Sequence, residues 1–267
     1  MNQKDDFFIG YLPKAPKSYQ KRTVTFVIFA MLLMITITII VVLSQRGFAS
    51  STFEYGQLTK VEGLISLEPI PNIKALYGQD ENNQPIFQTI PLIGFGKFGA
   101  ESTLEKIRPT LKNGFEKTVV TLEGTLIHRD GKALLELTNN ENSLVAQSND
   151  LGVFQNMTPK IEMIGQKALR GEIVDPKCFF GIMKPGHSKP HRSCAIRCIS
   201  GGIPPFLWIE FENGTNDFYI LRGEKGEIIN QDILSYVGDK IELTGNVEIY
   251  DDWKMLFINP ANIERLR

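Results

Sequence analysis

The chain has 267 residues, of which 42% are hydrophobic and 22% are charged, and its formal net charge is −1 at pH 7. This is ordinary globular composition, and the near-zero charge argues against a general nucleic-acid binder, which usually has a strongly basic domain. Three cysteines are too few for a disulfide-dense mini-domain. The length suffices for a membrane anchor and two domains of roughly 100 residues each.

Residues 23–44 form an uncharged apolar run of 22 residues after a tail at 1–22. A membrane span needs about 20 such residues, so an uncleaved transmembrane helix is predicted. Cleavage after Ala49 is a minor alternative. The basic residues lie mainly before the run, at Lys4, Lys14, Lys17, Lys21 and Arg22. The positive-inside rule then predicts a cytoplasmic tail and extracytoplasmic domains, which in a bacterium means the inner (cytoplasmic) membrane and the periplasm.

A linker at 45–55 precedes a first predicted domain, 56–150. Strands are predicted at 60–70 and 85–95, followed by a short helix at 102–111. A hairpin at 118–137 is predicted to turn at Asp130-Gly131. His128 lies alone in this hairpin and is interpreted as a strand-face residue.

The second predicted domain, 151–267, repeats the first. Gly171 matches Gly63, and the stretch 239–258 matches the hairpin at 118–137 when Gly245 is aligned with Gly124. The order of strands, short helix and hairpin resembles the OB-fold, a five-stranded barrel. The predicted fold is therefore mainly β: one transmembrane helix, then two tandem OB-fold-like barrels, the second with a Cys/His-containing helical insertion at 175–205. The tryptophans Trp208 and Trp253 are predicted to be core residues.

The insertion holds all three cysteines and two of the three histidines of the chain. Pro190 and Gly201 favour a helix over about 190–200. On such a helix His191, Cys194 and Cys198 fall within roughly 60° of one another. With Cys178 from the preceding loop they make a Cys3His set, which is a known composition for zinc. The predicted metal ligands are Cys178, His191, Cys194 and Cys198, with His187 as an additional candidate.

Two other interpretations of the cysteines stay open. Extracytoplasmic cysteines form disulfides, so Cys178 can pair with Cys194 or Cys198 and leave one odd thiol. Alternatively, the three cysteines are reduced and merely buried.

The second domain also resembles a family of small exported bacterial OB-fold-like proteins of unassigned function. The residues that carry the resemblance are Gly171, Ile173, Val174, Asp175, Cys178, His191, Cys194, Ala195, Cys198, Gly202 and Pro204. They follow the pattern Cys…His-x-x-Cys-Ala-x-x-Cys…Gly-x-Pro. The resemblance covers about the last 100 residues, and it implies a layout without a reaction.

These observations favour a non-enzymatic, membrane-anchored, extracytoplasmic subunit of an envelope complex, with a structural disulfide or zinc site. The expected partners are the membrane and a membrane-protein complex, and no nucleic acid. One alternative is a thiol-redox or metal-transfer protein that handles copper or zinc. Another alternative is an OB module that binds a glycan or a peptide.

Overall fold

The computed structural model describes residues 17–44, 51–138, 140–155 and 157–266. The chain separates into two compact units, Met1–Phe48 and Ala49–Arg267. The predicted tail 1–22 lies outside the described residues except for 17–22, and most of the predicted linker lies outside them as well.

Helix α1, Lys17–Ser44, is the described part of the first unit. It begins six residues before the predicted span, so that 17–22 is helical as well. Its segment Tyr19–Leu43, 25 residues, is long and apolar enough to cross a membrane.

The first sheet contains a closed five-stranded barrel in the cyclic order β2-β3-β4-β6-β5. Its five strands are β2 (Thr59–Ser66), β3 (Asn72–Gln79), β4 (Pro85–Ile93), β5 (Val119–Arg129) and β6 (Lys132–Leu137). Strands β4 and β6 pair in parallel, and the other neighbours pair antiparallel. Two further strands, β1 (Ser51–Phe53) and β7 (Leu144–Ser148), pair with β5. Helix α2, Glu101–Ile107, connects β4 to β5.

The second sheet repeats this pairing order, with β8-β9-β10-β12-β11 and a further contact from β11 back to β8. Its strands are β8 (Ile161–Val174), β9 (Phe206–Glu210), β10 (Asn216–Gly223), β11 (Lys240–Tyr250), β12 (Trp253–Ile258) and β13 (Glu264–Arg265). Strands β10 and β12 are the parallel pair. A 3-10 turn, Leu234–Tyr236, stands where the first half has α2. The mainly β architecture is as predicted.

The repeated glycines lie where strands approach closely. A Cβ at Gly63 would lie 2.2 Å from the Lys74 carbonyl oxygen, and one at Gly171 would lie 2.4 Å from that of Trp208. The hairpin turns also match the prediction, because Asp130, Gly131 and Asp251 have φ of 49°, 77° and 53°. Such left-handed residues are typical of tight hairpin turns.

A shared hydrophobic core and a set of polar contacts hold the two sheets together. One hydrophobic cluster combines Ile93, Ile127 and Leu134 of the first sheet with Phe206 and Trp253 of the second. The Trp253 indole N–H donates to the Thr89 carbonyl oxygen at 2.7 Å. Asp251, at the β11–β12 turn, accepts hydrogen bonds from Lys74 at 2.8 Å and from the Thr89 hydroxyl at 2.9 Å. The second sheet's hairpin turn is therefore fixed to the first sheet.

We expect Asp251→Asn to reduce the free energy of unfolding at pH 7 by about 1–2 kcal/mol, because it removes a partly buried charged acceptor. Burial raises the pKa of Asp251, but hydrogen bonds from Lys74, the Lys160 N–H and Thr89 outweigh it and lower that pKa. The contribution of ionised Asp251 to the free energy of unfolding is present above the unfolded-state pKa of about 3.9. It is lost as pH falls through the folded-state pKa of Asp251.

The measurement is denaturant unfolding of the full chain in detergent across the acid range. Asn tolerates the left-handed backbone of this position, so the substitution tests the charge. Asp252→Asn, at a carboxylate that is 41% exposed, is the matched control and should change stability by less than about 0.5 kcal/mol. An equal loss of unfolding free energy in the two variants would contradict the role of Asp251 in connecting the two sheets.

Candidate metal centre

The insertion lies between β8 and β9 and consists of a π-helical turn followed by a helix. The π-helical turn, Cys178–Ile182, begins four residues after the end of β8. It is set by Asp175, whose side chain accepts the Cys178 N–H at 2.9 Å. The Met183 N–H closes the turn on the Cys178 carbonyl oxygen at 3.0 Å. Wide turns of this kind occur frequently at functional sites.

Helix α3, Ser188–Ser200, confirms the predicted helix at about 190–200. At its start, the backbone N–H and the hydroxyl of Ser188 donate to the buried Glu172 carboxylate. Burial raises the pKa of Glu172, against the opposing effect of the hydrogen bonds from Ser188. At its end, the Asn230 side chain donates to the Ile199 and Ile203 carbonyl oxygens at 2.7 and 3.0 Å. Both ends of α3 are thus fixed to the second half of the chain.

The three thiols, which we call the thiol cluster (Cys178, Cys194 and Cys198), lie within 4.8 Å of one another. Cys178 and Cys198 are buried and Cys194 is partly buried. All three are free, and the Cys178 and Cys194 sulfurs are 3.9 Å apart. A disulfide needs about 2.05 Å, so the predicted disulfide is not formed.

Within the thiol cluster, the pKa values of Cys178 and Cys198 shift in opposite directions. A hydrogen bond to Cys198, together with burial and the Asp175 charge, raises the pKa of Cys178. The same hydrogen bond lowers the pKa of Cys198, helped by the positive charges of Lys97 and Lys177. Of these two thiols, Cys198 is therefore the one that loses its proton more readily. A thiol whose pKa is lowered is a starting point for metal binding, because thiolates are the ligands.

His191 lies with Asp175 rather than with all three thiols. Its Nε2 is 3.1 Å from an Asp175 carboxylate oxygen, and the two side chains are 2% and 0% exposed. We call these two residues the inner pair. Ligand atoms of the inner pair and of Cys178 also lie within 4.8 Å of one another. The predicted ligand set therefore divides into two groups that share Cys178.

His187, the additional candidate, belongs to neither group. It precedes the first residue of α3, and its Nδ1 is 2.9 Å from the Ser188 hydroxyl. Its ring lies 4.6 Å from the Trp208 ring. His128 lies on β5, as predicted, with Nε2 2.9 Å from a Glu54 carboxylate oxygen. Trp253 is buried as predicted, and Trp208 is partly buried.

The first half of the chain supplies charged groups that the sequence did not predict. Lys97, in the loop 94–99, places its ammonium 3.2 Å from the Cys194 sulfur, and this hydrogen bond raises the Lys97 pKa. The buried Lys177 ammonium donates to the Gly96 carbonyl oxygen and to Glu136. A Cβ at Gly201 would lie 1.9 Å from the Lys97 carbonyl oxygen. The only sequence signal for this contact is the glycine spacing of Gly-Phe-Gly-Lys-Phe-Gly at 94–99.

A cavity of about 600 Å³ gives access to the thiol cluster. All three cysteines line it, together with Lys97, Lys177 and Glu136. Its remaining wall is mostly apolar: Phe53, Tyr55, Leu58, Phe95, Ile182 and Met183. Small ions and small molecules can therefore reach the sulfurs, whereas the inner pair is buried and does not line this cavity.

Comparison with known proteins does not assign this chain to a family. A scan against protein-family models found no match, and a search of curated proteins found no significantly similar sequence. The resemblance of the second half to exported bacterial proteins stays a prediction.

We expect denatured, chelator-treated and unreduced protein to contain three titratable thiols per chain, because all three cysteines are free. In the folded protein Cys194 should react first, since it is less buried than the other two. The measurement is a time course of alkylation with mass mapping, with Cys194→Ser as the control that should abolish the fast phase. One thiol per denatured chain would contradict the free-thiol structure.

Proposed function

We propose that this chain is a membrane-anchored, extracytoplasmic, non-enzymatic accessory protein that binds zinc at the thiol cluster. The observation that carries the proposal is the convergence of three free sulfurs within 4.8 Å. Zinc–sulfur bonds of about 2.3 Å in tetrahedral geometry place sulfurs about 3.8 Å apart. The Cys178–Cys194 separation of 3.9 Å fits this requirement without rearrangement of the backbone.

An ion held by the three sulfurs would have a fourth coordination position open to the cavity that all three cysteines line. His191 supports this arrangement because its Nε2 is engaged by Asp175. Three protein ligands with an open position are typical of zinc sites that exchange a ligand, whereas closed structural sites have four. The site therefore suits an ion that is reached from solvent, and the Lys97 ammonium offsets part of the thiolate charge.

We propose further that both sheets are OB-fold barrels in tandem. The closed first barrel supports this, with its parallel pair β4–β6 and with α2 between β4 and β5. The same pairing order in the second sheet supports a duplicated barrel in which the insertion follows the first strand. In the OB-fold a single small barrel serves as a scaffold for loops that differ between proteins.

The location in this proposal rests on α1 and on the charges around it. The apolar helix is long enough to span a bilayer, and the basic residues before it favour a cytoplasmic N-terminus. The domains then stand on the outer side of the inner membrane, where a membrane-protein complex is the proposed partner. Some basic residues of the insertion form ion pairs within the fold: Lys177 pairs with Glu136, and Lys189 pairs with Asp239. The apolar mouth of the cavity is therefore a better contact surface than the basic residues.

We expect full-length protein purified in detergent to retain zinc, and Cys194→Ser and Cys198→Ser to lose the ion held by the thiol cluster. The measurement is elemental analysis together with the thiolate-to-metal charge-transfer absorption of the cobalt-substituted protein. Ser200→Ala, on the same helix, is the matched control and should bind like the unmodified protein. Absence of thiolate–cobalt absorption in the unmodified protein would overturn the proposal. Copper in place of zinc would revise the choice of ion.

We expect a protease added to right-side-out vesicles to degrade the domains after α1, and the same protease added to inverted vesicles to leave them intact. The measurement is immunoblotting with a C-terminal tag, and a cytoplasmic protein trapped inside the right-side-out vesicles controls for leakage. Protection in right-side-out vesicles would contradict the proposed orientation.

A thiol-exchange function is the second candidate, and the access to Cys194 from the cavity favours it. Cys178 and Cys194 would form a disulfide while a disulfide of a partner protein is reduced, so that two electrons and two protons pass to the partner. A metal-free protein that forms this bond reversibly with a defined reduction potential would support the second candidate against the first.

A further inference from the structure

We propose that the inner pair, Asp175 and His191, binds a second zinc ion together with Cys178. Cys178 would then be a thiolate bridge between this inner ion and the ion on the thiol cluster. The inference rests on the proposed zinc binding by the thiols and extends it to a two-ion centre with five protein ligands.

The distances within the inner pair suit shared coordination. Zinc binds imidazole nitrogen and carboxylate oxygen at about 2.0–2.2 Å, so two such ligands in tetrahedral geometry lie about 3.3 Å apart. The His191 Nε2 and the Asp175 oxygen are 3.1 Å apart. One ring nitrogen of His191, one carboxylate oxygen of Asp175 and the Cys178 sulfur all lie within 4.8 Å of one another. The three side chains are therefore close enough to share one ion after side-chain adjustment.

The environment of Asp175 is that of a metal-binding carboxylate. One oxygen faces His191 while the other accepts the Cys178 N–H at 2.9 Å. Ligating carboxylates are usually held by a second hydrogen bond of this kind, which fixes the orientation of the free oxygen. Here the hydrogen bond comes from a residue that is itself a proposed ligand, so that the carboxylate and the thiol are positioned together.

Burial and charge support two ions. The inner-pair side chains are 2% and 0% exposed, and burying a charge such as that of the Asp175 carboxylate costs several kcal/mol, which a bound cation would offset. Three thiolates and one carboxylate carry four negative charges, which two Zn²⁺ ions balance. Imidazole and carboxylate ligands also favour zinc over Cu(I), because Cu(I) selects thiolate and thioether ligands.

A metal titration of the full chain in detergent tests the proposal. Chelator-treated protein is loaded with zinc and desalted, and the bound zinc is measured per chain together with far-UV circular dichroism. We expect about two ions for the unmodified protein and about one for Asp175→Asn and for His191→Gln. Asp175→Asn keeps an oxygen that can accept the Cys178 N–H, so the turn should persist. Cys194→Ser should retain the inner ion.

His128→Gln is the matched control, because His128 forms another histidine–carboxylate pair, at 2.9 Å, on a side chain that is 40% exposed. It should leave the zinc content at that of the unmodified protein. A second measurement needs no variant: two cobalt ions bridged by the Cys178 thiolate should couple magnetically and lower the magnetic susceptibility per ion.

The outcomes separate this inference from the proposed function. One ion per chain that is lost in Cys194→Ser and retained in His191→Gln would overturn the second site and leave the thiol site standing. No bound ion in the unmodified protein would overturn both. Two ions with no change in Asp175→Asn and His191→Gln would place the second ion elsewhere and overturn the inference.

Discussion

The fully buried carboxylate of Asp175 is the interaction on which the insertion depends. Asp175 follows the last residue of β8, and it holds the π-helical turn through the Cys178 N–H and α3 through His191. These two contacts bring a thiol from a loop next to thiols from a helix. If the carboxylate were absent, His191 would be buried without its partner, and leaving a buried polar group unsatisfied costs about 1–3 kcal/mol.

The two sheets and the segments attached to them contribute differently to the site. The second half supplies the sulfurs and the inner pair, whereas the first half supplies Lys97, Gly96 and Glu136. The glycine at 201 allows the loop 94–99 to approach the end of α3, and the Gly99 N–H donates to the Gly201 carbonyl oxygen at 3.0 Å. The first half is therefore more than a scaffold, because it places positive charge beside the sulfurs and forms one wall of the cavity.

Local patterns predicted the parts of the fold that depend on local sequence. The hairpin turns follow from Asp130-Gly131 and from the aligned Asp251, and α3 follows from Pro190 and Gly201. The strands β3, β9 and β10 were not predicted individually, because their segments give weak alternation and their pairing is decided by the barrel.

The helical periodicity of the sequence could not predict that the candidate ligands form two separate groups. A helical wheel places His191, Cys194 and Cys198 on one side, but it cannot show which group lies opposite each of them. Asp175, four residues after Gly171 in the sequence, lies within hydrogen-bonding distance of His191. Lys97 contacts Cys194 from the other half of the fold. Both are contacts of residues distant in sequence, which only the tertiary structure creates. The disulfide interpretation is not borne out, because all three cysteines are free and the Cys178 and Cys194 sulfurs are 3.9 Å apart.

The thiol cluster is open to the cavity and the inner pair is not, and this difference in access relates the geometry to function. Cys194 lines the cavity and is the least buried of the three thiols, so a ligand exchanging at the thiol cluster would enter beside Cys194 and Lys97. Asp175 and His191 are buried and do not line that cavity. An ion held by the inner pair would exchange slowly and would stabilise the turn and α3, whereas an ion on the three sulfurs would keep a position open to the cavity. A centre built in this way combines a structural ion with an accessible one, and the bridging Cys178 would make the affinity of each site depend on the occupancy of the other.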